Sequence, residues 1–195
     1  MVLRKGKIAI LTPKEFEQLR KAVTRRKLRI LLEVALYTGM RYVELQRFSQ
    51  NTHWFDEDRN CIVLPDWADR KTKRVSKGRY VHLSDAGLKV ISHYIDHYSD
   101  DERPVFPSLP AWDGNLKKWA EKARIDTKDC VISAKTTRKT WECWLVISYP
   151  DRIPLICMNQ GHTDMVAMRH YLNLGFTPEE RREIKRHTSG WMEHF

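Results

Sequence analysis

Residues 28–38 read LRILLEVALYT, interrupted only by Arg29 and Glu33 before Thr38. The apolar side chains fall on more than one face of a 3.6-residue period, so a helix built from them has to be covered on most sides. Gly39 follows, the residue that ends a helix in a left-handed conformation without a Cβ penalty. The segment therefore predicts a buried central helix with the rest of the chain packed around it.

The surrounding punctuation is mostly helical. Thr12-Pro13-Lys14-Glu15 has the form of a capping box with proline at the first helical position. A short helix is expected to resume at Arg41 and run to about Phe48. Residues 60–64 (NCIVL) and 79–83 (RYVHL) have the length and composition of strands, and a polar basic stretch separates them. They predict an antiparallel hairpin with a long tip. Ser84 caps a helix to about Tyr98, with Leu88, Ile91 and Ile95 on one face. Residues 99–110 hold three prolines and predict a loop. Helices are expected over 112–124 and 136–148, with Trp112, Trp119, Trp141 and Trp144 as core. After the break at Gly161, residues 164–172 read as helical. A second capping box, Thr177-Pro178-Glu179-Glu180, opens a charged terminal helix. The fold class is mainly α with a small antiparallel β-sheet (α+β). The chain reads as one domain over 1–195, with a core at about 11–174 and a tail helix in 175–195.

At 195 residues and 42% hydrophobic, the chain can bury a core and is not a disordered segment. Its net charge of +10 suits a polyanionic partner, whether DNA, RNA or an anionic membrane surface. The four cysteines, Cys61, Cys130, Cys143 and Cys157, match no zinc spacing and form no C-x-x-C. Three lie in apolar stretches, as reduced thiols in an intracellular compartment would. No apolar run reaches membrane-spanning length, and the first residues are too few and too charged for a signal peptide. No metal or other cofactor is expected, and no membrane partner.

Six features then stand in order. They are Thr38-Gly39-Met40-Arg41-Tyr42-Val43-Glu44, Lys71-Thr72-Lys73, Lys135-Thr136-Thr137-Arg138, Gly161-His162, Tyr171, and the helix beyond it. The T-G-M-R-x-x-E segment resembles the first arginine box of the tyrosine recombinases. The run KTKRVSKGRYVHL from Lys71 to Leu83 resembles their β-hairpin lysine segment. The Gly-His followed nine residues later by tyrosine resembles their C-terminal box. The resemblance covers about Leu11 to Leu174. Two departures stand out. The second box of the family has His-x-x-Arg, where this chain has Lys135-Thr-Thr-Arg138, and lysine there is similar to the integrases of archaeal viruses. The N-terminal DNA-clamping domain of the family is also expected to be absent.

The resemblance implies the tyrosine recombinase catalytic-domain fold and attack of the Tyr171 phenol on a DNA phosphodiester. A 3′-phosphotyrosyl link forms and a 5′-hydroxyl leaves. Negative charge gathers on the non-bridging oxygens, which planar guanidiniums bind two at a time, so Arg41 and Arg138 form the clamp. A phenol ionises at a pH of about 10 and needs a cationic field or a base, for which His162 stands nearby in the pattern. Lys71, with Lys73 as the alternative, is the expected general acid for the leaving oxygen. Lys135 belongs to the same set with its role open, and Glu44 is expected to orient Arg41. The amides free at the helix start beside Lys135 and Arg138 suit a phosphate. Arg70, Arg74, Lys77 and Arg79 are expected to touch DNA phosphates generically.

The implied partner is double-stranded DNA at attachment sites, with a homotetramer on DNA and a monomer when free. The implied location is the cytoplasm or nucleoid of a host cell. Two other readings stay open: relaxation of supercoils as by a type IB topoisomerase, and an inactive DNA-binding integrase fragment. The terminal helix can either pass to a neighbouring protomer or fold back on its own domain.

Overall fold

The structure is a computed structural model that describes residues 3–69, 78–162, 168 and 170–194. A two-stranded antiparallel ribbon opens the chain, β1 (Leu3–Lys5) and β2 (Ile8–Ile10), turning at Gly6. Helix α1 (Pro13–Ala22) follows. The Thr12 side chain accepts from the Glu15 amide at 3.2 Å, and the Glu15 carboxylate accepts from the Thr12 amide at 2.8 Å. Helix α2 (Arg26–Thr38) is the central helix expected from its sequence. Ile30 to Leu32 and Val34 to Thr38 are buried, and Gly39 ends it at φ +58°.

Helix α3 (Tyr42–Phe48) leads to a three-stranded antiparallel sheet of β3 (Phe55–Asp56), β4 (Cys61–Leu64) and β5 (Arg79–His82). The expected hairpin is the β4–β5 pair, in register Cys61↔His82 to Leu64↔Arg79. Its tip, with Arg70, Lys71, Lys73, Arg74 and Lys77, lies outside the described residues. Strand β3 and the β1–β2 ribbon were not expected. Strands of two or three residues are too short to show period-two alternation.

Helix α4 (Asp85–Asp96) is capped by Ser84, whose hydroxyl accepts from the Gly87 amide. Its fully buried residues are Gly87, Ile91 and Tyr94, while the expected Leu88 and Ile95 are half-buried. Helix α5 (Leu109–Lys122) starts three residues before its expected start, because Pro110 serves as a first-turn residue. Helix α6 (Ala134–Ser148) is buried along most of its length and packs on α2, on β2 and on the terminal helix. Trp112, Trp141 and Trp144 are fully buried and Trp119 partly so, as expected of core. A turn at Pro150–Arg152 precedes α7 (Ile153–Gln160), which Gly161 ends at φ +62°.

Of the helix expected over 164–172, residues 163–167 and 169 lie outside the described residues; Met168 is helical, and Tyr171 sits in a 3-10 turn, His170–Asn173. Helix α8 (Pro178–Thr188) has the expected capping box at Thr177. It folds back on its own domain, against α6, α4 and α1. Ile184 is fully buried, and His187 accepts or donates at Nδ1 to Tyr37 Oη, 2.8 Å away. None of the four cysteines forms a disulfide; Cys61, Cys143 and Cys157 are buried. Among the described residues, no helix is long and apolar enough to cross a membrane, and no group of three or more His, Cys, Asp or Glu is placed to hold a metal.

Candidate active site

Two helix ends meet at one place. Helices α2 and α7 both stop on a left-handed glycine, and the carbonyls at such an end lack helical partners. Arginines fill that need. Arg138 donates from Nη1 to the Gly39 carbonyl at 2.8 Å and from Nη2 to the Gln160 carbonyl at 2.5 Å. Arg41 donates from Nη2 to the Gly161 carbonyl at 2.6 Å. The negative ends of the helix dipoles favour both contacts. Arg41 and Arg138, 97 positions apart in sequence, thereby bracket the last turn of α7.

Glu44 holds Arg41 in place. Its carboxylate accepts from the Arg41 amide at 2.7 Å and from Arg41 Nη1 at 3.1 Å, so the short helix α3 is capped by the arginine it orients. Arg79 completes the arrangement with two bonds to the same carboxylate, 2.5 and 2.8 Å, and a third from Nε to the Asn159 carbonyl at 2.8 Å. Burial by itself raises the Glu44 carboxyl, but Arg79 and Arg41 reverse that and hold it below the usual range. Arg79 is therefore placed differently from the expected generic phosphate contact: its guanidinium turns inward and binds protein at all three nitrogens. The cause is the pleat, because Arg79 lies on the same face of β5 as buried Val81.

The centre of the site is a residue that the sequence reading passed over. Glu142 stands one helical turn beyond Arg138 on α6, with its side chain 3% exposed. Its Oε1 lies 2.8 Å from Arg138 Nε and 2.6 Å from His162 Nε2, and its Oε2 accepts from Tyr171 Oη at 3.1 Å. His162 Nε2 is also 3.1 Å from Arg138 Nη2. A neutral ring nitrogen either donates or accepts. With its proton on Nε2, His162 donates to Glu142; without it, Nε2 accepts from Arg138. Burial raises the Glu142 carboxyl, and Arg138 and His162 more than offset this, so it titrates below the ordinary range. The signal that finds Glu142 in sequence is its i+4 spacing from Arg138 on a helix otherwise buried.

Tyr171 is 1% exposed. Burial first, and the Glu142 carboxylate second, push its phenol well above a free tyrosine, so it rests protonated. Lys5 Nζ, from the β1–β2 ribbon, sits 4.1 Å from the ring centroid. That ribbon is a second element of the site with no sequence signal. Four of the other six tyrosines direct their hydroxyls elsewhere: Tyr37 to His187, Tyr42 to the Pro107 carbonyl, Tyr94 to the Pro104 carbonyl and Tyr149 to the Thr188 carbonyl.

The structure thus brings together Arg41, Glu44, Arg79, Arg138, His162 and Tyr171, with Glu142 added. Lys135 is exposed on the first turn of α6 and hydrogen-bonds none of them among the described residues. The amides beside it are not open as expected. The Ala134 amide donates to Asp113 at 2.7 Å and the Lys135 amide to the Ser133 hydroxyl at 3.3 Å. Among the described residues three guanidiniums face two carboxylates, which leaves a positive balance. Arg41 and His162, at 31% and 33% side-chain exposure against 11% for Arg138 and Arg79, form its solvent-facing side. An anion approaching from solvent meets those two first.

The fold is similar to that of several solved DNA recombinases. The XerA recombinase superposes with a TM-score of 0.60 at 19% identity, over 91% of this chain and 64% of that one. The Tn1549 transposon integrase in complex with circular intermediate DNA gives 0.63 at 15% identity, over 94% and 68%. A lambda integrase dimer bound to a COC′ core site gives 0.64 at 14% identity, over 90% and 51%. The chain therefore spans between about half and two thirds of these proteins' length. Comparison with curated proteins gives no match. The model of the phage integrase family matches residues 9–177, which takes in every described residue of the site except Lys5. The chain belongs to the phage integrase family.

Proposed function

We propose that this protein cleaves and rejoins double-stranded DNA at specific sites through a transient 3′-phosphotyrosyl link to Tyr171, as an integrase or recombinase does. The observation that carries the reading is the convergence of the Tyr171 hydroxyl, His162 and Arg138 on one carboxylate, with Arg41 beside them. A phosphodiester entering over Arg41 and His162 meets two guanidiniums that can bind its non-bridging oxygens. The Tyr171 oxygen attacks phosphorus, and the 5′-oxygen leaves with a proton from Lys71, or from Lys73. Reversal with a different 5′-hydroxyl reseals the strand, and the phosphotyrosyl bond conserves the energy of the phosphodiester.

DNA as partner is supported by the net charge of +10 and by the DNA complexes of the similar Tn1549 and lambda integrases. Arg70, Arg74 and Lys77 are assigned to backbone phosphates, so affinity should fall steeply with salt. We assign a homotetramer on DNA and a monomer when free, the latter supported by the docking of α8 on its own chain. Lysine at position 135 supports an origin among archaeal-virus integrases, acting at the nucleoid of a host cell. The test is incubation with a nicked duplex carrying an attachment site, which lets the short cleaved strand diffuse away. A denaturation-resistant protein–DNA adduct supports the reading; failure to form one on any attachment-site DNA contradicts it.

A further inference from the structure

Tyr171 has to lose its proton as its oxygen bonds to phosphorus, and the described site contains one acceptor at that oxygen. Glu142 Oε2 is 3.1 Å from Tyr171 Oη. Arginine has no lone pair to offer, and His162 contacts the far oxygen of the same carboxylate, 2.6 Å from Oε1. We propose that Glu142 takes the Tyr171 proton during strand cleavage and returns it during resealing. The proposal rests on the reading of Tyr171 as the nucleophile.

The step balances. The Oη–H bond breaks while the Oη–P bond forms, and the proton passes to Oε2. The P–O5′ bond breaks, and the 5′-oxygen takes its proton from the separate lysine acid. On resealing, the lysine takes the proton of a 5′-hydroxyl as its oxygen bonds to phosphorus, the Oη–P bond breaks and Glu142 protonates Oη.

The same geometry explains why the transfer waits for DNA. In the free protein, Arg138 Nε and His162 Nε2 both hold Oε1, at 2.8 and 2.6 Å, and keep the carboxylate charged. The phenol keeps its proton, because burial beside a carboxylate disfavours a second anion. A phosphate bound by Arg138 and His162 competes for those donors and adds negative charge beside Glu142. Both effects raise its basicity. Bond formation to phosphorus meanwhile makes the phenolic oxygen an ester oxygen that cannot keep a proton. Glu142 is then a base only when there is a bond to cleave.

The test is the single-turnover rate of covalent adduct formation on a nicked duplex, from about pH 6 to about pH 9, for wild type, Glu142→Gln and Glu142→Asp. Gln keeps the shape and an acceptor for Arg138 but cannot take a proton. Its rate should drop about 10²- to 10⁴-fold at neutral pH and climb with pH as hydroxide substitutes for the missing base. Asp, one methylene short, should be slower than wild type with the wild-type pH profile; this variant carries the test if Gln does not fold. Equal DNA affinity among the variants separates the chemistry from binding. A Gln variant as fast as wild type, or faster, overturns the assignment and makes Glu142 a spectator or a brake on the site. An Asp variant whose profile climbs like that of Gln also overturns it. Absence of any wild-type adduct would instead overturn the nucleophile reading, and this proposal with it.

Discussion

Arg79 closes on Glu44 through both guanidinium ends, Nη1 to Oε1 at 2.5 Å and Nη2 to Oε2 at 2.8 Å, with the carboxylate side chain wholly hidden from solvent. The pair ties strand β5 to the first turn of α3, and Arg41 shares the same carboxylate. One acid therefore fixes both strand β5 and Arg41, one arginine of the proposed clamp. Removing one partner of a buried pair leaves the other charge uncompensated. Glu44→Ala is expected to destabilise the fold by about 3–5 kcal/mol in urea unfolding. The pair of exposed Arg59 with half-buried Asp56 is the control, and Arg59→Ala should shift the unfolding midpoint far less.

The buried acids also set the acid limb of stability. Glu44 and Glu142 both titrate below their ordinary value of 4.5 in the folded protein, held down by arginines against the opposing effect of burial. The unfolded state then binds more protons in that range. Stability should be fully present above about pH 4.5 and fall as pH drops through the native values. Urea midpoints against pH should show this fall, and Glu44→Gln should flatten it.

Helix α8 is expected to be an integral part of the domain rather than an appended tail. Ile184 is fully buried, and the His187 ring packs on Trp144 at a centroid distance of 4.9 Å. Ile184→Ala should cost about 2–5 kcal/mol in chemical denaturation. Burial lowers the His187 pKa from its ordinary 6.5. A lowered native value means that the unfolded state takes the proton first. The contribution of His187 is complete above pH 6.5 and is lost as pH falls towards the native value. His187→Gln should remove that part of the pH dependence.

Much of this was legible in the sequence because it rests on local rules. The capping boxes at Thr12 and Thr177, the helix stops at Gly39 and Gly161, and the apolar run of α2 each depend on residues close together in the chain. The pairing of Arg41 with Glu44 follows from i+3 spacing on one turn. The inward placement of Arg79 and the presence of Glu142 in the site escape the sequence for different reasons. Arg79 looked like one more cation in a basic stretch, and only its alternation with Val81 and Leu83 shows that it faces inward. Glu142 shares a face with Arg138, but its meeting with His162 and Tyr171 depends on how α7 and the 3-10 turn at 170–173 dock on α6. That is tertiary information. The Lys5 contact with Tyr171 is of the same kind, because a three-residue strand carries no periodicity.

Gly39 is expected to tolerate no side chain. Its φ of +58° costs a non-glycine residue about 1–2 kcal/mol. A Cβ there would also lie 2.6 Å from Gln160 Oε1 and from Trp141 Cδ1. The Gly39 carbonyl is one of the acceptors that hold Arg138, so any shift of this turn moves that guanidinium. Gly39→Ala should lower adduct formation by more than its loss of stability explains, measured at a temperature where the variant remains folded.

The central claim is that Tyr171 is the residue that joins DNA. The most direct measurement is mass spectrometry of the proteolysed adduct from a nicked attachment-site duplex, with Tyr171→Phe in parallel. Nucleotide mass is expected on the peptide containing Tyr171, linked through a 3′-phosphate, with no adduct from the Phe variant. An adduct that persists in Tyr171→Phe, or nucleotide mass on any of the other six tyrosines, would contradict it.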